Sequence, residues 1–238
     1  MRGAILIPVL MLGACSMGEA SESGGQRASR DFQVGSFDKI SLAGSPNVVV
    51  AVGGAPSVRA EGDSALIEKL DIRVENGTLR IGYKKGNWSF GWSRDRGPVT
   101  IRVSAPTLTG AEVAGSGDMK IDKVEGGDFA GEIAGSGEIA IAGLRARNAS
   151  FSIAGSGGVT ATGTADTADF DIAGSGDVRA GGLQVKRAKV SIAGSGNVET
   201  KAMETADISI MGSGDVVVTG PAKCTISKMG SGDVRCTG

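Results

Sequence analysis

Seven serines in this chain each stand between two glycines: Ser116, Ser136, Ser156, Ser175, Ser195, Ser213 and Ser231. A serine on a tight glycine turn can be a nucleophile, and a glycine-rich turn can cradle phosphate. Neither chemistry fits here. The chain has no histidine, which excludes a histidine-based triad or a histidine metal centre. A nucleophile elbow needs one serine with a base partner, not a row of equivalent ones. A phosphate loop runs into a helix N-terminus, whereas each motif here runs into an alternating apolar pattern. The role that remains is a corner, where glycine supplies positive φ or a turn with no room for a Cβ. No catalytic residue is assigned.

The residue after each motif is Asp118, Glu138, Gly158, Asp177, Asn197, Asp215 or Asp233. Carboxylates stacked in a row repel one another, so they must be solvated, paired or bound to a cation. Calcium-binding glycine-rich repeats have a nine-residue period. This row repeats about every twenty and is broken at Gly158 and Asn197. Asp and Asn also favour turns by bonding their own backbone. The turn role is preferred, and no metal or other cofactor is expected.

Two further groups could do chemistry. The stretch from Tyr83 to Gly97 holds both tryptophans and the one tyrosine in a chain that is only 4% aromatic. Trp88, Phe90 and Trp92 with Arg94 and Arg96 form a candidate ligand-binding set, able to stack on sugars or grip an anionic partner. The alternative is that the tryptophans fold back over the neighbouring structure. The other group is Cys15, at the end of Leu12-Gly13-Ala14-Cys15. Arg2 and the apolar run Ala4–Leu12 precede it, in the layout of a secretory signal too short to span a bilayer. The segment resembles a bacterial lipoprotein signal over residues 1–14, which implies lipidation at Cys15. The alternative is an ordinary signal peptide with an incidental cysteine. By the same resemblance, Ser16 after the cysteine implies the outer membrane. Residues 15–30 are polar, small and aperiodic, and predict a flexible tether.

The elements that position these groups come from the repeat. Gly-Ser-Gly begins at Gly115, Gly135, Gly155, Gly174, Gly194, Gly212 and Gly230, at intervals of 18 to 20 residues. Two residues before stand Val113, Ile133, Ile153, Ile172, Ile192 and Ile210. Four before stand Ala111, Gly131, Phe151, Phe170, Val190, Ile208 and Ile226. Four after the first glycine stand Met119, Ile139, Val159, Val178, Val198, Val216 and Val234. A spacing of two on both flanks is strand periodicity. Each unit reads as strand, corner, strand and a looser return. One such unit cannot bury its apolar face alone, but stacked units ~4.8 Å apart make a continuous core.

The expected fold is all-β: a right-handed parallel β-solenoid with two facing sheets, about seven clear coils and a looser N-terminal β cap. Residues 31–238 form one domain, divergent over 31–108 and regular over 109–238. Ala149, Ala168, Ala188 and Ala206 form one inward column. In the divergent part, Val48, Val50 and Val52 predict a strand nearly buried on both faces. Asp63–Leu70 suits a short capped helix, and Asn76-Gly77 a hairpin turn. The segment before Gly115 is expected to lead directly into the first clear coil. Cys224 and Cys236 face inward on opposite sheets of one coil, which predicts a disulfide, as suits an oxidising envelope compartment. Two reduced buried thiols are the alternative.

With these columns laid out, the chain resembles a family of exported bacterial proteins, the head GIN domain family, described as auto-transporter adhesins. The resemblance rests on the repeated Gly-Ser-Gly-Asp units, the looser N-terminal half, the Ala105–Leu108 entry segment and the lipoprotein signal, and covers roughly Phe37 to Gly238. It implies a right-handed β-helix of pectin-lyase-like shape and an adhesion role, with no catalytic residues to carry over. The expectation is a non-catalytic, lipid-anchored envelope protein presenting a rigid surface to a glycan, peptidoglycan or envelope protein. A carbohydrate-active enzyme on the same fold and a purely structural scaffold are the alternatives. The formal net charge of -1 gives no nucleic-acid footprint.

Overall fold

The structure is a computed structural model, and it describes residues 26–84, 86 and 99–238. The proposed signal, Cys15 and the residues Trp88, Phe90, Trp92, Arg94 and Arg96 lie outside that range. The divergent part contains β1 (Arg27–Phe32), β2 (Lys39–Gly44), β3 (Asn47–Val52), β4 (Ser57–Asp63), α1 (Ser64–Ile67), β5 (Leu70–Glu75), β6 (Thr78–Tyr83) and β7 (Thr100–Ala105). The first regular coils hold β8 (Gly110–Gly115), β9 (Met119–Ile121), β10 (Val124–Glu125) and β11 (Asp128–Gly135). Long strands follow: β12 (Glu138–Gly155), β13 (Gly158–Gly174), β14 (Asp177–Gly194) and β15 (Asn197–Gly212). The last coil ends with β16 (Val216–Thr219), β17 (Lys223–Gly230) and β18 (Val234–Thr237). Together they wind into a β-solenoid of about 6 turns.

The stacking is parallel and in register from coil to coil. Ala149 lies over Ala168, Ala168 over Ala188, and Ala188 over Ala206. All four are buried. Phe151 and Phe170 stack with centroids 5.7 Å apart. Gly131 takes the place of a phenylalanine one coil earlier. The rings of Phe151 itself and of Phe129, from the neighbouring column, close on that space, with centroids 6.1 Å apart. Each such fully buried apolar side chain contributes about 1.5–3 kcal/mol.

The return is not loose, and the coil does not divide into two facing sheets. In β12 burial alternates in three runs: Ile139 and Ile141, then Leu144 and half-buried Ala146, then Ala149, Phe151 and Ile153. Between runs the alternation slips by one residue, and the pairing with β13 shifts register between Ile141 and Leu144. Such slips bend a strand without ending it. They also put the return out of phase with the columns flanking Gly-Ser-Gly.

The divergent part corrects the expected linear order. β2 and β3 pair on one side with β8 and β9, and on the other with β6 and β7. The first coil in sequence is therefore second in space. β7 does not lead into a neighbouring coil, since the β2–β3 coil lies between it and β8–β9. Beyond β6 and β7 the chain adds antiparallel strands: β5 on β6, β4 on β7, and β1 on β4. β1 begins at Arg27, so the expected tether gives up residues 27–30 to a strand. Only one face of β3 is buried, with Val48 and Val50 inside and Val49 and Ala51 exposed. The helix is shorter than Asp63–Leu70. Asp63 caps it, accepting from the Ala65 and Leu66 amides at 2.9 and 3.2 Å. Asn76 and Gly77 both take positive φ, as the β5–β6 turn requires.

Candidate functional site

The Gly-Ser-Gly corners form a backbone ladder. Each serine N–H donates to the first-glycine carbonyl of the preceding coil, for example Ser136 to Gly115 at 2.8 Å and Ser195 to Gly174 at 2.8 Å. Gly194 has φ +141°, and a Cβ there would lie 2.9 Å from the Gly174 carbonyl carbon, with the oxygen closer still. Gly196 needs no positive φ, but a Cβ would collide with the Gly176 carbonyl and approach Ile172 to 2.9 Å. One glycine answers to conformation and contact, the other to contact alone. The serine amides are spent on holding coils together.

The acidic row does related work. The Asp118 carboxylate accepts from the Glu138 amide at 3.2 Å, and Asp177 accepts from the Asn197 amide at 3.3 Å. The Asn197 side-chain oxygen accepts from the Asp215 amide at 3.1 Å, and Asp215 accepts from the Asp233 amide at 2.8 Å. These side chains bond the next coil's backbone rather than their own, which corrects the expected turn role. The reason is the stacking distance: it brings the same amide of the next coil within reach of a short acceptor. Gly158 and Asn197 also keep Asp177 from having a carboxylate directly on either side of it in the row. Among the described residues no three metal-ligating side chains converge.

Cys224 and Cys236 are bonded, with an S–S distance of 2.08 Å. They stack on the buried Ala206 and Val218, so the bridge crosses the interior of the last coil. Cys224 is half-buried and Cys236 exposed. Both are less covered than an inward column implies, because only the preceding coil packs on them.

The strands that flank the aromatic and basic segment are β6 and β7. β6 stacks on β2 and β7 on β3. β6 and β7 thus form a coil stacked outside the β2–β3 coil. The Tyr83 ring lies where a Cβ on Gly44 would meet it at 3.5 Å. Burial pushes the Tyr83 phenol above its ordinary pKa of 10.0, and a hydrogen bond with Ser45 partly offsets this.

A feature that the sequence reading missed lies on the outside of the third run. A shallow groove of about 350 Å³ crosses four coils. It is lined by two outward rows, Ser152, Asp171, Ser191 and Ser209, and Ala154, Ala173, Ala193 and Met211. Both rows are held in register by β12 to β15. The available signal was the apolar residue one before each corner, alanine at the first five and Met211 and Met229 at the last two, at a position on the outward face of the strand. Asp177, Asp215 and Arg179 do not line this groove. Its single carboxylate, Asp171, lacks the second acid that glycoside hydrolysis uses.

The profile of the family described as "putative auto-transporter adhesin, head GIN domain" matches residues 36–222. The chain belongs to this head GIN domain family. No curated protein matches it. Among solved structures, a putative adhesin from Bacteroides fragilis NCTC 9343 is similar, with a TM-score of 0.77 and 24% identity over 89% of this chain and 97% of that one. A putative lipid binding protein from Parabacteroides distasonis ATCC 8503 has a TM-score of 0.68 and 27% identity over 90% and 97%. A putative adhesin from the same strain has a TM-score of 0.67 and 21% identity over 90% and 97%. This head GIN domain thus shares its whole described fold with proteins called adhesins.

Proposed function

We propose that this chain is a non-catalytic, lipid-anchored protein of the cell envelope, and that the outer face of its third run docks a glycan chain. The observation that carries the reading is the groove over β12–β15. It is an open trough lined by three serines and Asp171 in one row and by three alanines and Met211 in the next. Coils repeat every ~4.8 Å, so the trough offers an extended ligand a polar and an apolar side chain at regular steps. The adhesin description of the family agrees with a binding role. A non-catalytic role also agrees with the corner serines and the acidic row, whose polar groups hold coils together. Trp88, Phe90, Trp92, Arg94 and Arg96 remain a second candidate contact on their residue types alone.

Filling the trough tests the reading. Ala173→Arg and Ala193→Arg leave the inward columns untouched. The full chain should lose at least tenfold in affinity for isolated peptidoglycan or surface polysaccharide. Undiminished binding by the doubly substituted chain sinks the glycan site. Lipid is the second reading, favoured by the exposed Met211 in the trough and by the neighbour called a lipid binding protein. Retention on vesicles that depends on Ala173 and Ala193, with no glycan bound, would select it. Fatty-acid labelling that disappears in Cys15→Ser tests the anchor. Protease treatment of intact cells, with a periplasmic control, tests whether the protein is exposed at the outer surface.

A further inference from the structure

The inward column that runs through Val113, Ile133, Ile153, Ile172, Ile192 and Ile210 does not end on an aliphatic residue. Ile210 stacks on Lys228. The Lys228 ammonium bends to the Gly232 carbonyl and donates to it at 2.6 Å. Lys228 sits on β17, which pairs with β15 on one edge, while β18 pairs with β16. The other edges of β17 and β18 have no partner among the described residues. Large apolar side chains are exposed around them: Ile226 at 49%, Met229 at 71% and Met211, one coil in, at 63%. An unpaired edge flanked by apolar side chains is a template for another strand. Inward-pointing charge is one of the devices that blunt such an edge.

We propose that Lys228 and the Cys224–Cys236 bridge form an end guard that stops a second copy of this chain from continuing the sheet at β17–β18. A second copy is the occupant that matches best. Its own β17 edge carries the same ladder and the same columns, and two such edges can meet antiparallel about a two-fold axis, each residue serving both sides. In that arrangement the two ammonium groups would be buried among Ile210 and Ile226 with no counter-charge. Burying unpaired charge is strongly unfavourable. The disulfide closes the interior that the second copy would otherwise cover.

The test compares the full chain with its Lys228→Ile form in detergent, with the protein mass measured by light scattering and β17 amide exchange followed by mass spectrometry. The parent should be a monomer with fast exchange in β17. Lys228→Ile should double in mass as concentration rises and slow that exchange at least tenfold. Lys189→Ile, which adds the same side chain on the exposed face of β14, should stay monomeric. Lys228→Gln, which removes the charge without adding apolar surface, should associate more weakly than Lys228→Ile and provides the readout if that form does not fold. The guard is refuted if neither Lys228 variant associates, if Lys189→Ile associates equally, or if the parent is already paired through β17.

Discussion

Glycines in this fold separate two costs that usually come together, and substituting alanine at four of them measures each. Gly181 has ordinary φ and open surroundings, with the Glu199 carboxylate 3.9 Å from a built Cβ. Gly126 has φ +146° and nothing within 4 Å. Gly196 has crowding without positive φ, and Gly194 has both. At Gly181, alanine should be neutral or stabilise by about 0.4–1 kcal/mol through the unfolded chain. At Gly126 it should cost about 1–3 kcal/mol, since that backbone region is strained for any side chain. At Gly194 the Cβ would overlap the Gly174 carbonyl oxygen outright, and even the carbonyl carbon, at 2.9 Å, lies about half an ångström inside the 3.4 Å where ordinary contact begins. Relieving the oxygen opens the coils by more than that and breaks the 2.8 Å bond from the Ser195 amide. Losing it and one neighbouring ladder bond adds about 1 kcal/mol each to the strain, for about 3–5 kcal/mol in all. Gly196→Ala, with the contact but not the strain, should cost about 2 kcal/mol, below Gly194→Ala. Urea unfolding followed by circular dichroism gives the order. If Gly194→Ala costs no more than Gly126→Ala, the corners are glycine for conformation alone and the contact argument is wrong.

Further outcomes follow from the corner row and the outer coil. Asp215→Asn keeps the acceptor for the Asp233 amide, as Asn197 does for Asp215, and should leave stability unchanged. Asp215→Ala should cost about 1–2 kcal/mol, and millimolar calcium should not shift the melting temperature of the parent; a clear upward shift would restore the cation ladder. Tyr83 is the one tyrosine, so ultraviolet titration reads it directly. Its folded pKa is raised, so its contribution to stability is complete below about pH 10 and is lost as pH rises through the folded value. A titration midpoint below 10 would refute its burial beside Ser45.

The regular coils were legible because each column repeats at strand spacing. Ile133, Ile153 and Ile172 keep the same offset from their corners and stack as that offset requires. The Cys224–Cys236 pairing was legible for the same reason: both residues occupy known columns of one coil. The groove was not, because it arises between neighbouring rows. Ala154 or Ser152 alone is an unremarkable surface residue, and only stacking through four coils makes a trough of them. Lys228 went unread because a charge in an aliphatic column resembles the end of the pattern rather than a part of it.

The sequence by itself determined that this chain is a stack of β coils, where the corners fall and which residues point inward. Those are consequences of local periodicity and of the steric demands of glycine. Tertiary structure decided the rest. The β2–β3 coil lies between β6–β7 and β8–β9, because strand partners are chosen by edge and register and not by order along the chain. The acidic row bonds across coils, because the distance between stacked backbones puts the next amide within reach of a carboxylate. β6 and β7 form an outer coil, because they stack on the strands either side of Ser45.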